Sequence, residues 1–253
     1  MSLIKLALPN GHLRDETVRL FTSAGFSVGG YETNARDYRP AFDKDWLIAK
    51  VFRPQEIPLV VAEGYYDLGI TGLDWLHETR CEKSVEDILD LGFGRVDVVL
   101  AVPNKWNQVK TAKDLFQLPK TPIRIWTEYI NLASEYILDK TGIDPNVRSP
   151  WEKVDRKGWS NIWVFMSFGV TEAKPPEDAE AIIDNTSTGI TLHSNGLKIV
   201  DKILKNSTAR LIANRLSMQD PEKMEKINFL ADGLRRVVPE KPTRDIVRTF
   251  GHI

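Results

Sequence analysis

Between residues 180 and 192 the chain reads Glu-Ala-Ile-Ile-Asp-Asn-Thr-Ser-Thr-Gly-Ile-Thr-Leu. Ala181, Ile182 and Ile183 form a short apolar run of the kind a buried parallel strand shows, and Asp184 ends it. The residues that follow are small, hydroxylated or glycine, and beyond them Leu197, Val200, Ile203 and Leu204 recur at helical spacing. The expected local structure is strand, polar loop, helix. Backbone N–H groups at a helix N-terminus and several hydroxyls together make a cradle for a phosphate. Thr186, Ser187, Thr188 and Thr191 supply the hydroxyls, and Gly189 permits close backbone approach or a positive φ. Glu180 and Asp184 are hard oxygen acceptors that could face two adjacent sugar hydroxyls or a magnesium ion carried by the ligand. A phosphate, a diol and an ion describe a phosphorylated ribose. The plainer alternative is an ordinary strand-to-helix turn capped by Thr191 or Ser194.

The elements that must position this loop are legible as alternating strands and helices. Strands are expected at Ile4–Leu8, Trp46–Phe52, Tyr66–Thr71, Val96–Val102, Ile123–Trp126 and Ile162–Phe168. Helices are expected at Asp15–Ala24, Ile57–Glu63, Lys113–Leu118 and Leu132–Lys140, the first stopped by Gly25 and the last ending before Gly142. Asp220-Pro221 starts a further amphipathic helix carrying Met224, Ile227, Leu230, Leu234 and Val237. Such alternation predicts parallel sheets with helices on their faces.

The chain has 253 residues, enough for one large or two small domains, and two are expected. Its 34 basic and 35 acidic residues leave the net charge near zero, which argues against nucleic acid or an anionic membrane as partner. An anionic ligand must therefore be held by local groups. A single cysteine, Cys81, excludes an intrachain disulfide and a multi-thiolate metal site and fits a reducing cytoplasm. The four histidines show no metal-ligand spacing, and no apolar run reaches membrane-spanning length. A soluble, cytoplasmic protein is expected.

Residues 180–192 followed by Asn195-Gly196-Leu197 resemble the phosphoribosyl diphosphate (PRPP) loop of ATP phosphoribosyltransferases, the first enzymes of histidine biosynthesis. Further blocks resemble that family in the same order: Leu8-Pro9-x-Gly11-x-Leu13, Arg53 to Pro58, Asp67 to Asp74, Asp90 to Gly94, Leu100 to Pro103, Gly169 to Glu172 and Arg210 to Asn214. The resemblance implies a two-domain α/β fold like the type II periplasmic binding proteins, with the active site in the interdomain cleft. The expected division is residues 1–96 plus 208–253 against 97–207, the second domain carrying the loop. It implies PRPP binding by Glu180, Asp184, Asn185, Thr186, Ser187, Thr188, Gly189 and Thr191, and ATP binding by Arg36, Arg53, Gly72 and Glu172. Magnesium is expected to arrive with PRPP, near Asp184, rather than in a site of the protein's own. No side chain is nominated as a covalent nucleophile or general base.

The chain departs from the family where it has Asn10, His12 and Asp97, since those positions are commonly basic. These departures keep two alternatives open: a solute-binding or sensing protein of the same fold, and a weakly active paralogue that still binds nucleotide. The long form of the family adds a ferredoxin-like regulatory domain, whereas only residues 215–253 follow Asn214 here. The resemblance is therefore to the short form, which implies a homodimer or larger oligomer and a regulatory subunit similar to histidyl-tRNA synthetase. Residues 145–161, with Trp151 and Trp159, match the family poorly, and packing or an interface is the expectation for them.

Overall fold

The computed structural model describes residues 2–32, 35, 37–120, 122–149 and 160–238. Strand β1 (Ile4–Pro9) leads through a 3-10 turn into helix α1 (Arg14–Ser23). The short strands β2 (Val28–Gly29) and β3 (Ala41–Phe42) precede β4 (Leu47–Phe52) and α2 (Ile57–Ala62). Next come β5 (Leu68–Gly72), α3 (Leu73–Thr79), β6 (Val85–Asp90) and the long β7 (Val96–Pro103). Then follow α4 (Ala112–Phe116), β8 (Ile123–Thr127), α5 (Ile130–Thr141), β9 (Asn146–Arg148) and β10 (Ile162–Met166). The chain continues through β11 (Ala181–Thr186), α6 (Ile190–Ser194), β12 (Leu197–Ser207), β13 (Ala209–Asn214) and α7 (Pro221–Arg235).

These strands build two sheets, ordered β2-β3-β4-β1-β5-β13-β6 and β12-β7-β11-β8-β10-β9. The chain leaves the first sheet between β6 and β7 and returns between β12 and β13, at Thr208. Both sheets are mixed, which corrects the expectation of parallel ones. The β1–β4, β1–β5, β8–β10 and β8–β11 pairs are parallel, while β13 runs antiparallel to both its neighbours and β7 antiparallel to β11 and β12. A strand that enters from the other sheet need not follow a right-handed helical crossover, and so it is free to insert against its neighbours' direction.

The helix expected through Leu197, Val200, Ile203 and Leu204 is instead strand β12. Its ladder with β7 shifts register between Ile199 and Asp201, between Lys202 and Leu204, and again before Ser207. Each irregularity breaks the two-residue alternation, so the inward positions are spaced like those of a helix. Each sheet has its own apolar core. The first gathers Leu6, Leu8, Phe21, Ile70 and Leu211, and the second Val98, Leu100, Ile125, Ile137 and Ile183. Helix α7 packs on the first core through Ile227, Leu230 and Leu234. Its N-cap Asp220 accepts from the Glu222 and Lys223 N–H groups, with Pro221 in the first turn where its missing donor costs nothing. Residues 239–253 and the segment containing Trp151 and Trp159 lie outside the described residues.

Candidate functional site

In the second sheet the strands β8, β10 and β11 run parallel to one another along the β8 pairs, so their C-terminal ends emerge together. Ligands of α/β proteins settle at such ends. The residues that leave these ends are Glu128, the 168–172 loop and the 184–191 loop. A pocket of about 220 Å³ opens there, lined by Glu172, Asp184, Asn185, Thr186, Ser187, Thr188, Thr191 and Leu192.

The loop has the form a cradle requires. Thr186 Oγ1 accepts from the Gly189 N–H at 2.9 Å, closing a tight turn. Gly189 takes φ +76°, left-handed backbone that favours glycine, and stands as the N-cap of α6 without a side chain to offer. The alternative caps, Thr191 and Ser194, are inside the helix instead. The first N–H groups at a helix N-terminus lack intrahelical acceptors, and Thr191 and Leu192 of the first turn of α6 line the pocket.

Asp184 lines the pocket, and its Oδ1 accepts from the Asn185 N–H at 2.8 Å. Burial pushes its carboxyl up to about 7, and the nearby Glu128 and Glu172 carboxylates add to the rise. Glu172 lies in a 3-10 turn, Thr171–Ala173, that follows Val170 at φ +53°. A β-branched residue in left-handed backbone is strained, and such strain gathers at functional sites.

Glu180 is elsewhere, which corrects its pairing with Asp184. Four residues of extended chain span roughly 13 Å, so Glu180, just before β11, is held well away from Asp184, two residues short of the strand's C-terminal end. Glu180 is fully buried and occupied: it accepts from the Arg124 backbone N–H at 2.8 Å, from Arg124 Nε at 3.0 Å and Nη2 at 2.9 Å, and pairs with Lys120 at 2.6 Å. Burial opposes its charge, but the bonds from Arg124 and Lys120 hold the carboxyl below its ordinary value.

Two further residues come from the first sheet. Arg53 is exposed just past the C-terminal end of β4, and its backbone N–H donates to Glu56. It neighbours Gln55, whose Nε2 reaches Glu128 Oε2 at 3.3 Å, so this loop touches the pocket's side of the second sheet. Gly72 is buried at the N-cap of α3 and does not line the pocket; a Cβ there would collide with the Asp74 carboxylate. Arg36 lies outside the described residues.

The departures in charge have local answers. Asp97 accepts from Lys202 Nζ at 2.5 Å and from the Asn206 N–H at 2.8 Å, so that position is neutralised. Asn10 accepts from Arg14 Nη1 at 3.4 Å. Arg14 is only 6% exposed, donates otherwise to the Tyr31 and Ala35 carbonyls, and meets no carboxylate among the described residues. A buried cation thus stands behind the loop that carries Asn10. His12 is exposed beside it. Sequence reasoning gave no site role to Glu128 or Tyr129, although the stretch from Glu128 to Leu132 resembles a family loop that opens the following helix; the partners of Tyr129 are far away in sequence.

Two α/β sheets joined by paired crossings, with a hydroxyl-rich loop at the ends of parallel strands, define a type II periplasmic-binding-protein-like fold. The ATP phosphoribosyltransferase family profile matches residues 53–235, and the chain belongs to that family. The ATP phosphoribosyltransferase of Chlorobium luteolum is 38% identical over 234 residues, which cover 90% of this chain and 69% of the relative; that of Solibacter usitatus is 36% identical over 230 residues, 89% and 69%. Among solved structures, the ATP phosphoribosyl transferase (HisG:HisZ) complex from Thermotoga maritima matches with TM-score 0.70 and 23% identity, over 93% of this chain and 98% of that one. An ancestral arginine-binding protein bound to arginine matches with TM-score 0.53 and 12% identity, over 94% of each chain.

Proposed function

We propose that the chain transfers the 5-phosphoribosyl group of PRPP to N1 of ATP with release of pyrophosphate, the first step of histidine biosynthesis. The observation that carries this reading is the meeting, in one pocket, of a hydroxyl and N–H cradle with the Asp184 carboxylate at the loop's start. A sensor of the same fold needs no such loop. In this reading Thr186 to Thr191 hold the 5-phosphate and Asp184 faces the ribose, while Arg53, Arg36 and Glu172 serve ATP. Glu180 acts from behind, fixing the strand rather than the ligand.

The two sheets are read as two domains, residues 1–96 plus 208–253 and 97–207, with substrates meeting between them. The reacting anomeric carbon passes through an oxocarbenium-like state, so the protein's work is alignment, water exclusion and stabilisation of developing charge. N1 of adenine already carries a lone pair and requires no general base. No cluster of three or more ligating side chains suited to a metal is present among the described residues. The Asp184 carboxylate, with Glu128 and Glu172 nearby, suits Mg²⁺ held mainly by substrate phosphates, which is its usual mode. Bound there, Mg²⁺ would neutralise the departing pyrophosphate. The HisG:HisZ complex from Thermotoga maritima supports a second kind of subunit as partner, and a homo-oligomer working with a regulatory subunit is the proposed assembly. The cytoplasm is the proposed location; no helix among the described residues is long and apolar enough to cross a membrane.

Pyrophosphate is expected only when ATP, PRPP and Mg²⁺ are all present; its absence from the complete mixture would contradict the assignment. Thr188→Val should weaken PRPP binding by about 1–3 kcal/mol, because a phosphate oxygen loses its hydroxyl partner. Calorimetry reads this directly, and unchanged affinity would remove the loop from phosphate binding. Asn10→Lys should leave ATP affinity within about threefold and lower stability by roughly 1 kcal/mol, since it sets a second cation beside Arg14. Tighter ATP binding with undiminished melting temperature would show that Arg14 does not supply the missing charge.

A further inference from the structure

Tyr129 is fully buried behind the pocket, where its ring stacks on Trp75 with centroids 4.4 Å apart and planes 19° from parallel. Its hydroxyl donates to Asp74 Oδ2 at 2.6 Å. The other Asp74 oxygen accepts from Ser207 Oγ at 2.7 Å, and Ser207 Oγ in turn accepts from the Asp74 N–H at 2.9 Å. Asp74 is 3% exposed and its carboxylate accepts at both oxygens. The single phenolic proton of Tyr129 is therefore spent on Asp74. Burial and the neighbouring carboxylate both keep that proton in place.

The Tyr129 oxygen is left as an acceptor, and its partner at 2.8 Å is Asn185. Of the two ends of an amide only the NH₂ donates, so the network dictates which way Asn185 turns. With Nδ2 held against Tyr129, Oδ1 is the acceptor that remains to Asn185, and this residue lines the pocket next to Asp184. A carbonyl oxygen repels phosphate oxygens and receives hydroxyls.

We infer that the Asp74–Tyr129 pair acts as a polarity lock that presents Asn185 Oδ1 as an acceptor for one ribose ring hydroxyl, making Tyr129 and Asp74 positioning residues for sugar selectivity. The inference rests on the phosphoribosyl reading above, with the other ring hydroxyl falling to Asp184. In Asp74→Asn the new amide donates to Tyr129. The phenolic proton is then free to turn to Asn185, whose amide reverses and shows NH₂ to the pocket. In Tyr129→Phe the lock is absent and Asn185 is unrestrained.

The test is calorimetric titration of wild type, Asp74→Asn and Tyr129→Phe with ribose 5-phosphate and its 2-deoxy and 3-deoxy analogues. Wild type should prefer ribose 5-phosphate over each analogue by roughly tenfold or more, because a half-buried acceptor is left unpaired by either deletion. In both variants the preference against one analogue should fall below about threefold, while that against the other, owed to Asp184, persists. A merely structural role would weaken all three ligands alike and preserve both ratios, which would overturn the inference. Equal binding of all three by wild type would also overturn it and leave the phosphate cradle standing. Failure of wild type to bind any of the three would instead strike the phosphoribosyl reading itself, and the inference with it.

Discussion

Asp184→Asn is expected to weaken Mg²⁺·PRPP binding by about 10–100-fold, the worth of hydrogen bonds to a charged acceptor, while making the ligand-free protein more heat-resistant above pH 7. The two effects share one cause. Burial raises the Asp184 carboxyl to about 7 in the free protein, so folding favours its protonated form. The sign follows from linkage: this group's stabilising contribution is complete below its unfolded value, near 3.8, and is lost as pH rises through the folded value. Asparagine has no proton to lose. At pH 8 the variant should gain about 1 kcal/mol, roughly 2–4 °C in melting temperature, with little gain at pH 5. Conversely, a ligand that needs the carboxylate must expel the proton, so wild-type affinity should fall by up to tenfold per pH unit below 7. The ligand's own titration cancels in the ratio of wild type to variant. Calorimetry across pH 5.5–8.5 measures that ratio, and one that stays flat would mean Asp184 does not receive PRPP as a carboxylate.

Glu180→Ala should do the opposite, costing about 3 kcal/mol of stability and leaving PRPP affinity within about twofold. Breaking a buried ion pair from one side typically costs 3–5 kcal/mol; the lower end applies because Lys120 is more than half exposed and Arg124 partly so. The Arg124 backbone N–H also loses its acceptor. The carboxyl of Glu180 is held below its ordinary value, so its contribution is present above pH 4.5 and disappears as pH falls through the folded value. Denaturant titrations of wild type and variant should therefore differ at pH 7 and converge in acid. A variant of normal stability with lost PRPP binding would return Glu180 to the ligand.

The contrast between these two carboxylates shows where the sequence is readable. Strands such as β1, β4, β7 and β8 and helix α1 follow from apolar period and caps, with observed bounds within two residues of expectation, while α7 starts where Asp220-Pro221 sets it but ends at Arg235, short of the expected stop at Pro239. The loop after Asp184 is local as well: its hydroxyls, its turn at Gly189 and its place after a strand are all written within a few residues. Glu180 was misread because nearness in sequence was taken for nearness in space, although the intervening residues are extended. Strand β12 was misread because its irregular ladder imitates a helical period. The partners that decide charge and polarity are separated by long stretches of chain, 55 residues for Tyr129 and Asp74 and 105 for Lys202 and Asp97. No periodicity reports such pairs. Asp97, a lost positive charge on paper, arrives with its own lysine.

The most direct measurement is formation of phosphoribosyl-ATP by the purified chain, followed by absorbance with ATP, PRPP and Mg²⁺ in the presence of pyrophosphatase to draw the equilibrium forward. Many turnovers per chain are expected from wild type, with the rate falling steeply in Asp184→Asn at sub-saturating PRPP. An absence of phosphoribosyl-ATP, in protein that calorimetry shows to bind both substrates, would contradict the account and leave a binding protein built on an enzyme's frame.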